Sequence, residues 1–380
     1  MSVQANKPRV HVLGLGSIGT FAAHSLAEVP APLTPSVTLL LHRPFLASEF
    51  LKNGGRIRLE TREGRVVDQH GNYSLEVLDN GEWHSPSTTP GLDQVAQTDM
   101  IDNLVVSVKG PQTAAALKPL KHRLNASSHI LFLQNGSGMI EAINEEIFTE
   151  NATRPNYIIG VISHGVTLNA PFDITHTGFA ATSLGPGRRT KSDVEATQSS
   201  YLLVALPLVT RFNATSYSVL DVFQIQLEKL TVNAFCNPLC ALNNAPNKYL
   251  FTIPETRHVL VKEISRALNA LPELLGVPGI SERFSVERLE ARVNGIIQKT
   301  AETTCSMVVN LQRKQKTEIQ FINGFWCRRG SEVGVPPPIN DSLVRQILER
   351  QGDGEQAKEY QRGKPSKSEN HVLIDCGSHE

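Results

Sequence analysis

The chain has 380 residues, 40% of them hydrophobic, and its 37 Lys+Arg balance 37 Asp+Glu to a formal net charge of zero. That length suits two domains, and the balanced charge gives no electrostatic footprint for nucleic acid or for an anionic membrane surface. No apolar run approaches the roughly 20 residues that span a bilayer, and the N-terminus lacks an apolar signal segment. The five cysteines, Cys236, Cys240, Cys305, Cys327 and Cys376, are scattered and contain no C-x-x-C pair. They read as small buried hydrophobes, not as a metal set or a disulfide framework. A cytoplasmic protein that binds no metal is expected.

The first element is a strand, Arg9–Leu13, which runs into Gly14-Leu15-Gly16-Ser17-Ile18-Gly19 and then a helical stretch from Thr20 to Val29. This is G-x-G-x-x-G after an apolar strand and opening a helix, the context that makes it a dinucleotide fingerprint. Gly14 permits the tight turn, Gly16 lets the backbone approach a pyrophosphate, and Gly19 lets helix and strand pack closely. The free N–H groups at the helix start attract the phosphates. The next strand, Ser36–Leu41, ends in His42-Arg43-Pro44. An NAD-binding fold usually places a carboxylate here for the ribose 2′-hydroxyl. Arg43 instead offers a guanidinium suited to a 2′-phosphate, so NADP(H) is expected.

The alternation continues with strands at Asn103–Lys109, His129–Gln134 and Tyr157–Ser163, and crossover helices at Gln112–Leu120 and Gly138–Phe148. That is the rhythm of a doubly wound sheet. Residues 53–102 interrupt it with a polar stretch that fits a pair of small antiparallel strands, and Thr175–Leu184 also reads as β. Ligands of such sheets lie beyond the strand ends. Two ends are loaded with polar residues: Lys109 before Gly110-Pro111-Gln112, and Asn135-Gly136-Ser137-Gly138. Lys109 and Asn135 could bracket a ribose and nicotinamide, although an Asn-Gly pair is also an ordinary turn.

From about Ser218 the character changes. Val219–Leu242, Arg257–Leu274, Glu282–Thr303, Glu318–Gly330 and Ser342–Gln351 carry helical periodicity. The expected fold is therefore an α/β Rossmann-like domain over 1–215 followed by an all-α domain over 216–351. The polar remainder, 352–380, reads as a mobile tail. Lys229, Asn233 and Asn237 sit at i, i+4 and i+8, drifting only about 40° per step, so they share a helix face. Leu227, Leu230 and Phe235 take other faces. One ammonium and two amides suit a small polyoxygenated anion; a solvated surface is the plain alternative. Pro238 should bend or end this helix nearby, and Asn247 follows in the next loop. Ser306 and Glu318, twelve residues apart, would lie about 120° apart on one straight helix, so their spacing alone does not make them a site.

In five blocks the chain resembles ketopantoate reductase (2-dehydropantoate 2-reductase), over most of residues 9–345. The blocks are G-L-G-S-I-G, S-V-K-G-P-Q, Q-N-G-S-G, L-E-K-L-T-V-N-A-F-C-N-P-L and S-M-V-V-N-L-Q-R-K-Q-K-T-E-I-Q-F-I-N-G. The resemblance implies that Lys229 is the general acid and that Asn135, Asn233, Asn237, Asn247 and Ser306 hold the substrate. It places Lys109, Asn135 and Val166 at the cofactor, with Glu318 beside the reacting groups and the nicotinamide ribose. Two departures stand out. The chain is longer than compact bacterial members, and Thr167-Leu168-Asn169, after His164-Gly165-Val166, lacks the basic residues that some relatives carry. The implied activity is NADPH-dependent reduction of 2-dehydropantoate to (R)-pantoate, towards pantothenate and coenzyme A, by a monomer or homodimer. The family also includes reductases of other 2-oxo acids, which is the first alternative. A non-enzymatic NADPH sensor is the second.

Overall fold

A computed structural model describes residues 7–71, 73–86, 95–187, 197–353 and 360. The described chain forms two units. One comprises the described residues of 1–134 and 139–226, and the other those of 135–138 and 227–380.

The first unit is built on β1 (Arg9–Leu13), β2 (Ser36–Leu41), β5 (Tyr73–Asp79), β8 (Asn103–Val106), β9 (His129–Phe132) and β10 (Asn156–Ile162). These lie side by side in the order β10-β9-β8-β1-β2-β5 and are all parallel. The Val, Leu and Ile runs of β2, β8 and β10 are buried nearly throughout, as strands covered on both faces require, whereas the outer strand β5 is buried only at Glu76 and Val77. The chain moves outward from β1 through β2 to one edge, and from β8 through β9 to the other. The order therefore reverses between β1 and β8, where Leu13 pairs with Val106, and this marks the ligand-binding switch point. Antiparallel strands β6 (Glu82–Ser85), β7 (Val95–Ala96) and β13 (Thr182–Pro186) extend the edges, with β14 (Ala214–Ser216) outermost beside β13.

A second sheet among the described residues has the order β11 (Gly165–Ala170), β12 (Asp173–Gly178), β3 (Ile57–Thr61), β4 (Val66–Gln69). The antiparallel pair expected within residues 53–102 is β3 and β4. The same segment also supplies β5, which joins the main sheet beside β2. The run expected to be one β stretch, Thr175–Leu184, is two strands in two sheets: β12 ends at Gly178 and β13 begins at Thr182. Helix α1 (Ser17–Ala27) contacts strands of both sheets, and Gly19 to Leu26 are all buried. Covered on both sides, it is mostly small or apolar; its largest buried polar side chain, His24, places Nε2 3.2 Å from the Val67 carbonyl.

Two further helices, α2 (Phe45–Lys52) and α3 (Thr113–Leu117), follow β2 and β8. The crossover expected at Gln112–Leu120 is broken: α3 has a 3₁₀ turn on each side, at Gly110–Gln112 and Lys118–Arg123. Pro111 and Pro119 each lack the N–H that a longer α-helix would use. Helices α4 (Met139–Glu146) and α5 (Tyr201–Ala205) also belong to this unit.

Helix α6 (Val219–Leu242) opens the helical region and is followed by α7 (Pro254–Ala270), α8 (Ile280–Arg283) and α9 (Val286–Lys299). Then come α10 (Ser306–Gln312), α11 (Ile319–Glu332) and α12 (Pro338–Arg350). The helix expected over Glu282–Thr303 is divided at Ser285, whose side chain caps α9 by accepting from the Arg288 N–H at 3.2 Å. Helix α6 does not end at Pro238; it continues to Leu242. Proline leaves the carbonyl four residues earlier, Ala234, without its helical donor. Asn323 of α11 fills that gap, donating from Nδ2 to the Ala234 oxygen at 2.8 Å. No described helix is long and apolar enough to cross a membrane. The expected tail lies outside the described residues apart from Gly352, Asp353 and Tyr360, and Cys376 lies outside them too. Cys236, Cys240 and Cys327 are buried, while Cys305 is half-buried.

Candidate active site

In the first unit the glycine loop is set by sterics. Gly14 has φ +95°, and a Cβ there would stand 2.6 Å from the Val108 nitrogen. A Cβ on Gly19 would collide with the Gly14 oxygen and the Ser107 hydroxyl. Ser107 itself donates to the Gly14 carbonyl. Gly16 behaves differently. It is the N-cap of α1 in an extended conformation, makes no side-chain capping bond, and has nothing within 4 Å of where a Cβ would be. The first N–H groups of a helix have no partners within it. The open space at the Gly16 Cβ position leaves room beside that helix start, which fits a pyrophosphate. Leu15 and Ile18 anchor the loop by packing on the apolar core, and Ser17 is the first residue of α1.

Three more expected cofactor residues belong to this unit. Lys109, half-buried, directly follows Val108, which abuts Gly14. Val166 in β11 packs on the same apolar cluster as Leu15 and Ile18. Arg43 is exposed between β2 and α2, with its guanidinium 5.0 Å from the centre of the Phe45 ring, itself 50% exposed. Composition gave no signal for Phe45. His164 is a core residue. It is buried against Phe21, with Nδ1 2.9 Å from His176 and Nε2 3.1 Å from the Phe212 carbonyl.

In the second unit the row on α6 stands out by burial. From Leu227 to Ala241 every residue is buried except Lys229, Asn233 and Asn237, which are half-buried. Lys229 donates from Nζ to Asn135 Oδ1 at 2.9 Å. Asn135 reaches it because its turn is fastened to the start of α11. The Ser137 N–H donates to the Phe321 oxygen at 2.8 Å, and a Cβ on Gly136 (φ +92°) would be 2.6 Å from that same oxygen. The Asn-Gly pair is thus a fitted turn that aims an amide at Lys229. Burial pushes the Lys229 ammonium down to about 8, and the Glu318 carboxylate acts in the opposite direction. Glu318 immediately precedes α11, where the helix dipole favours a negative charge. Asn135, Lys229 and Glu318 are therefore brought together from three distant parts of the sequence.

Ser306 and Asn247 reach the row less directly. The Asn237 carbonyl accepts from Cys305 Sγ at 3.7 Å, which sets the start of α10 and its exposed first residue, Ser306, beside the far end of the row. Asn247 is buried, donates from Nδ2 to Thr300 Oγ1 at 2.9 Å, and accepts from Cys240 Sγ at 3.6 Å. In this arrangement its side chain ties the loop after α6 to the end of α9. Among the described residues no cluster of His, Cys, Asp or Glu could hold a metal ion. What remains is an ammonium that can release a proton near neutral pH, set among amides that can both donate and accept.

Residues 10–189 match the family described as Ketopantoate reductase PanE/ApbA, and residues 221–351 match its C-terminal part, Ketopantoate reductase PanE/ApbA C terminal. The chain is 29% identical over 256 residues to 2-dehydropantoate 2-reductase of Vibrio cholerae, covering 67% of this chain and 79% of that one. It is 24% identical to a probable 2-dehydropantoate 2-reductase of Schizosaccharomyces pombe, covering 90% of this chain and 96% of that one. It is also 24% identical to the ketoisovalerate reductase BEA2 of Gibberella fujikuroi, covering 83% and 77%. Among solved structures, a PanE/ApbA family ketopantoate reductase from Ralstonia eutropha superposes with a TM-score of 0.67 at 19% identity, covering 91% of this chain and 99% of that one. D-mandelate dehydrogenase with NADH and anilino(oxo)acetate superposes with a TM-score of 0.65 at 18% identity, covering 91% and 98%. With both parts matched in chain order, this chain belongs to the ketopantoate reductase family.

Proposed function

We propose that this oxidoreductase uses NADPH to reduce 2-dehydropantoate to (R)-pantoate, a step towards pantothenate and coenzyme A. The observation that carries the proposal is the Lys229–Asn135 contact of 2.9 Å, on a stretch of α6 from Leu227 to Ala241 whose other half-buried residues are Asn233 and Asn237. Gly14 to Gly19 would hold the dinucleotide phosphates, with Arg43 at the 2′-phosphate and Lys109 and Val166 alongside. When bound, the nicotinamide supplies the hydride. The chain's own residues manage charge and proton. Lys229 polarises the 2-oxo group and protonates the oxygen as it gains charge, a role typically worth about 10²–10⁴-fold in rate. Asn135 orients the ammonium. Glu318 opposes the effect of burial and keeps more of it protonated. Asn233, Asn237 and Ser306 would bind the carboxylate and hydroxyl of the substrate, and Asn247, already bonded to Thr300 and Cys240, would offer its remaining amide hydrogen.

A second reading, reduction of a different 2-oxo acid, is favoured by the likeness to a ketoisovalerate reductase. An NADPH-oxidation assay with ketopantoate, 2-oxoisovalerate and benzoylformate decides between them. The proposal expects the highest kcat/KM with ketopantoate. A higher value for either of the others would reassign the substrate, and no turnover with any of the three would leave the NADPH-sensor alternative.

A further inference from the structure

Pro238 lies inside α6, between the substrate row and the end of the helix, and removes one backbone donor from the turn that joins Asn233 to Asn237. A helix carrying an unmatched carbonyl at this point would kink or admit water. Asn323 meets the need with the two hydrogens of one amide. One goes to the Ala234 oxygen at 2.8 Å and the other to Asn340 Oδ1 at 3.0 Å. The direction of that amide is enforced from behind. Asn340 donates its own Nδ2 to Glu263 Oε1 at 2.8 Å, which leaves its oxygen facing Asn323. Glu263 is fixed in turn by the backbone N–H groups of Ile339 and Asn340, at 2.9 and 2.8 Å. Asn323 and Asn340 are fully buried, so water cannot take over either bond.

We propose that Asn323 is a positioning residue for the substrate row, its amide replacing the bond that Pro238 removes and so holding Asn233 and Asn237 in line with Lys229. Asn323 touches no reacting group; it acts through the Ala234 carbonyl. The inference rests on the function proposed above, with the row as the substrate anchor.

The test is a double-mutant cycle of Asn323→Leu and Pro238→Ala, with Asn323→Ala in place of Leu if the first variant gives no soluble protein. Asn323→Leu strands a buried carbonyl and should raise KM for the 2-oxo acid by about tenfold, while kcat falls by less than about threefold. NADPH affinity should not change. Pro238→Ala restores an N–H four residues after Ala234. Alone it should leave KM within about twofold, and in the Asn323→Leu background it should bring KM back to within about threefold of wild type. Tm should recover only in part, because Asn340 still lacks its partner; a purely structural role would move KM and Tm together. An unmoved KM in Asn323→Leu, or a double variant no better than the single one, overturns the inference while wild-type turnover leaves the proposed function standing. Wild-type protein inert towards every 2-oxo acid sinks that function, and the inference with it.

Discussion

The glycine loop at Gly14–Gly19 and the polar row on α6 place their functional groups by opposite means. In the loop the backbone does the placing. Gly14 and Gly19 have no room for a Cβ, whereas Gly16 has nothing within 4 Å, so packing demands the first two and leaves the third to the proposed cofactor. In the row, side chains do the placing: Lys229 is half-buried, bonded to Asn135, and balanced between burial and Glu318. Damage to the loop should therefore appear as lost cofactor binding. Damage to the row should appear in rate, substrate affinity and pH dependence.

The largest effect should come from the row. Lys229→Ala is expected to lower kcat by at least about a hundredfold, with NADPH affinity nearly unchanged in a direct titration. Lys229→Arg keeps the charge but is a very poor acid, with a pKa above about 12, so it should retain more substrate binding than Ala without regaining the rate. Wild-type turnover in either variant would move the acid elsewhere, with Glu318 the first candidate.

In the loop, Gly16→Ala puts a methyl into open space. Its Tm should match wild type, while NADPH affinity falls by about tenfold to a hundredfold as the methyl displaces phosphate from its N–H donors. Gly19→Ala should lower Tm as well, because its methyl meets the Gly14 oxygen. Equal Tm values for the two variants would erase the distinction between space for the fold and space for the ligand.

Arg43→Ala should weaken NADPH binding by about tenfold, the scale of a charged hydrogen-bonding contact, and leave NADH within about twofold. Equal losses for both cofactors would detach Arg43 from the 2′-phosphate.

The smallest change is a shift along the pH axis. As the proposed acid Lys229 would have to be protonated, and burial pushes its ammonium down to about 8, so kcat/KM should hold below that value and fall as pH rises through it. Because Glu318 raises this pKa, Glu318→Gln should move the falling limb to lower pH. A limb that stays put or moves upward would belong to another group.

Much of this molecule was legible in the chain because some signals are local. A 3.6-residue period puts Lys229, Asn233 and Asn237 on one face whatever surrounds the helix, and the extent expected for α6, Val219–Leu242, is the one observed. The first strand and its glycine loop are equally local, as is the missing carboxylate after β2. Less came through where a segment's neighbours decide its state. Thr175–Leu184 has uniform β character, yet it divides between two sheets. Pro238 carries a helix-breaking signal that only the amide of Asn323, 85 positions further on, cancels.

Sequence by itself determined the α/β-then-helical order, the dinucleotide fingerprint and the polar row, since each depends on backbone sterics or periodicity within a few residues. Only the tertiary structure decided that Asn135 reaches Lys229 across 94 positions, that Glu318 stands close enough to raise its pKa, and that Asn247 spends its side chain on Thr300 and Cys240. Those outcomes depend on burial and on hydrogen-bond partners drawn from remote segments. No local pattern encodes which buried donor will meet which acceptor until the chain has packed.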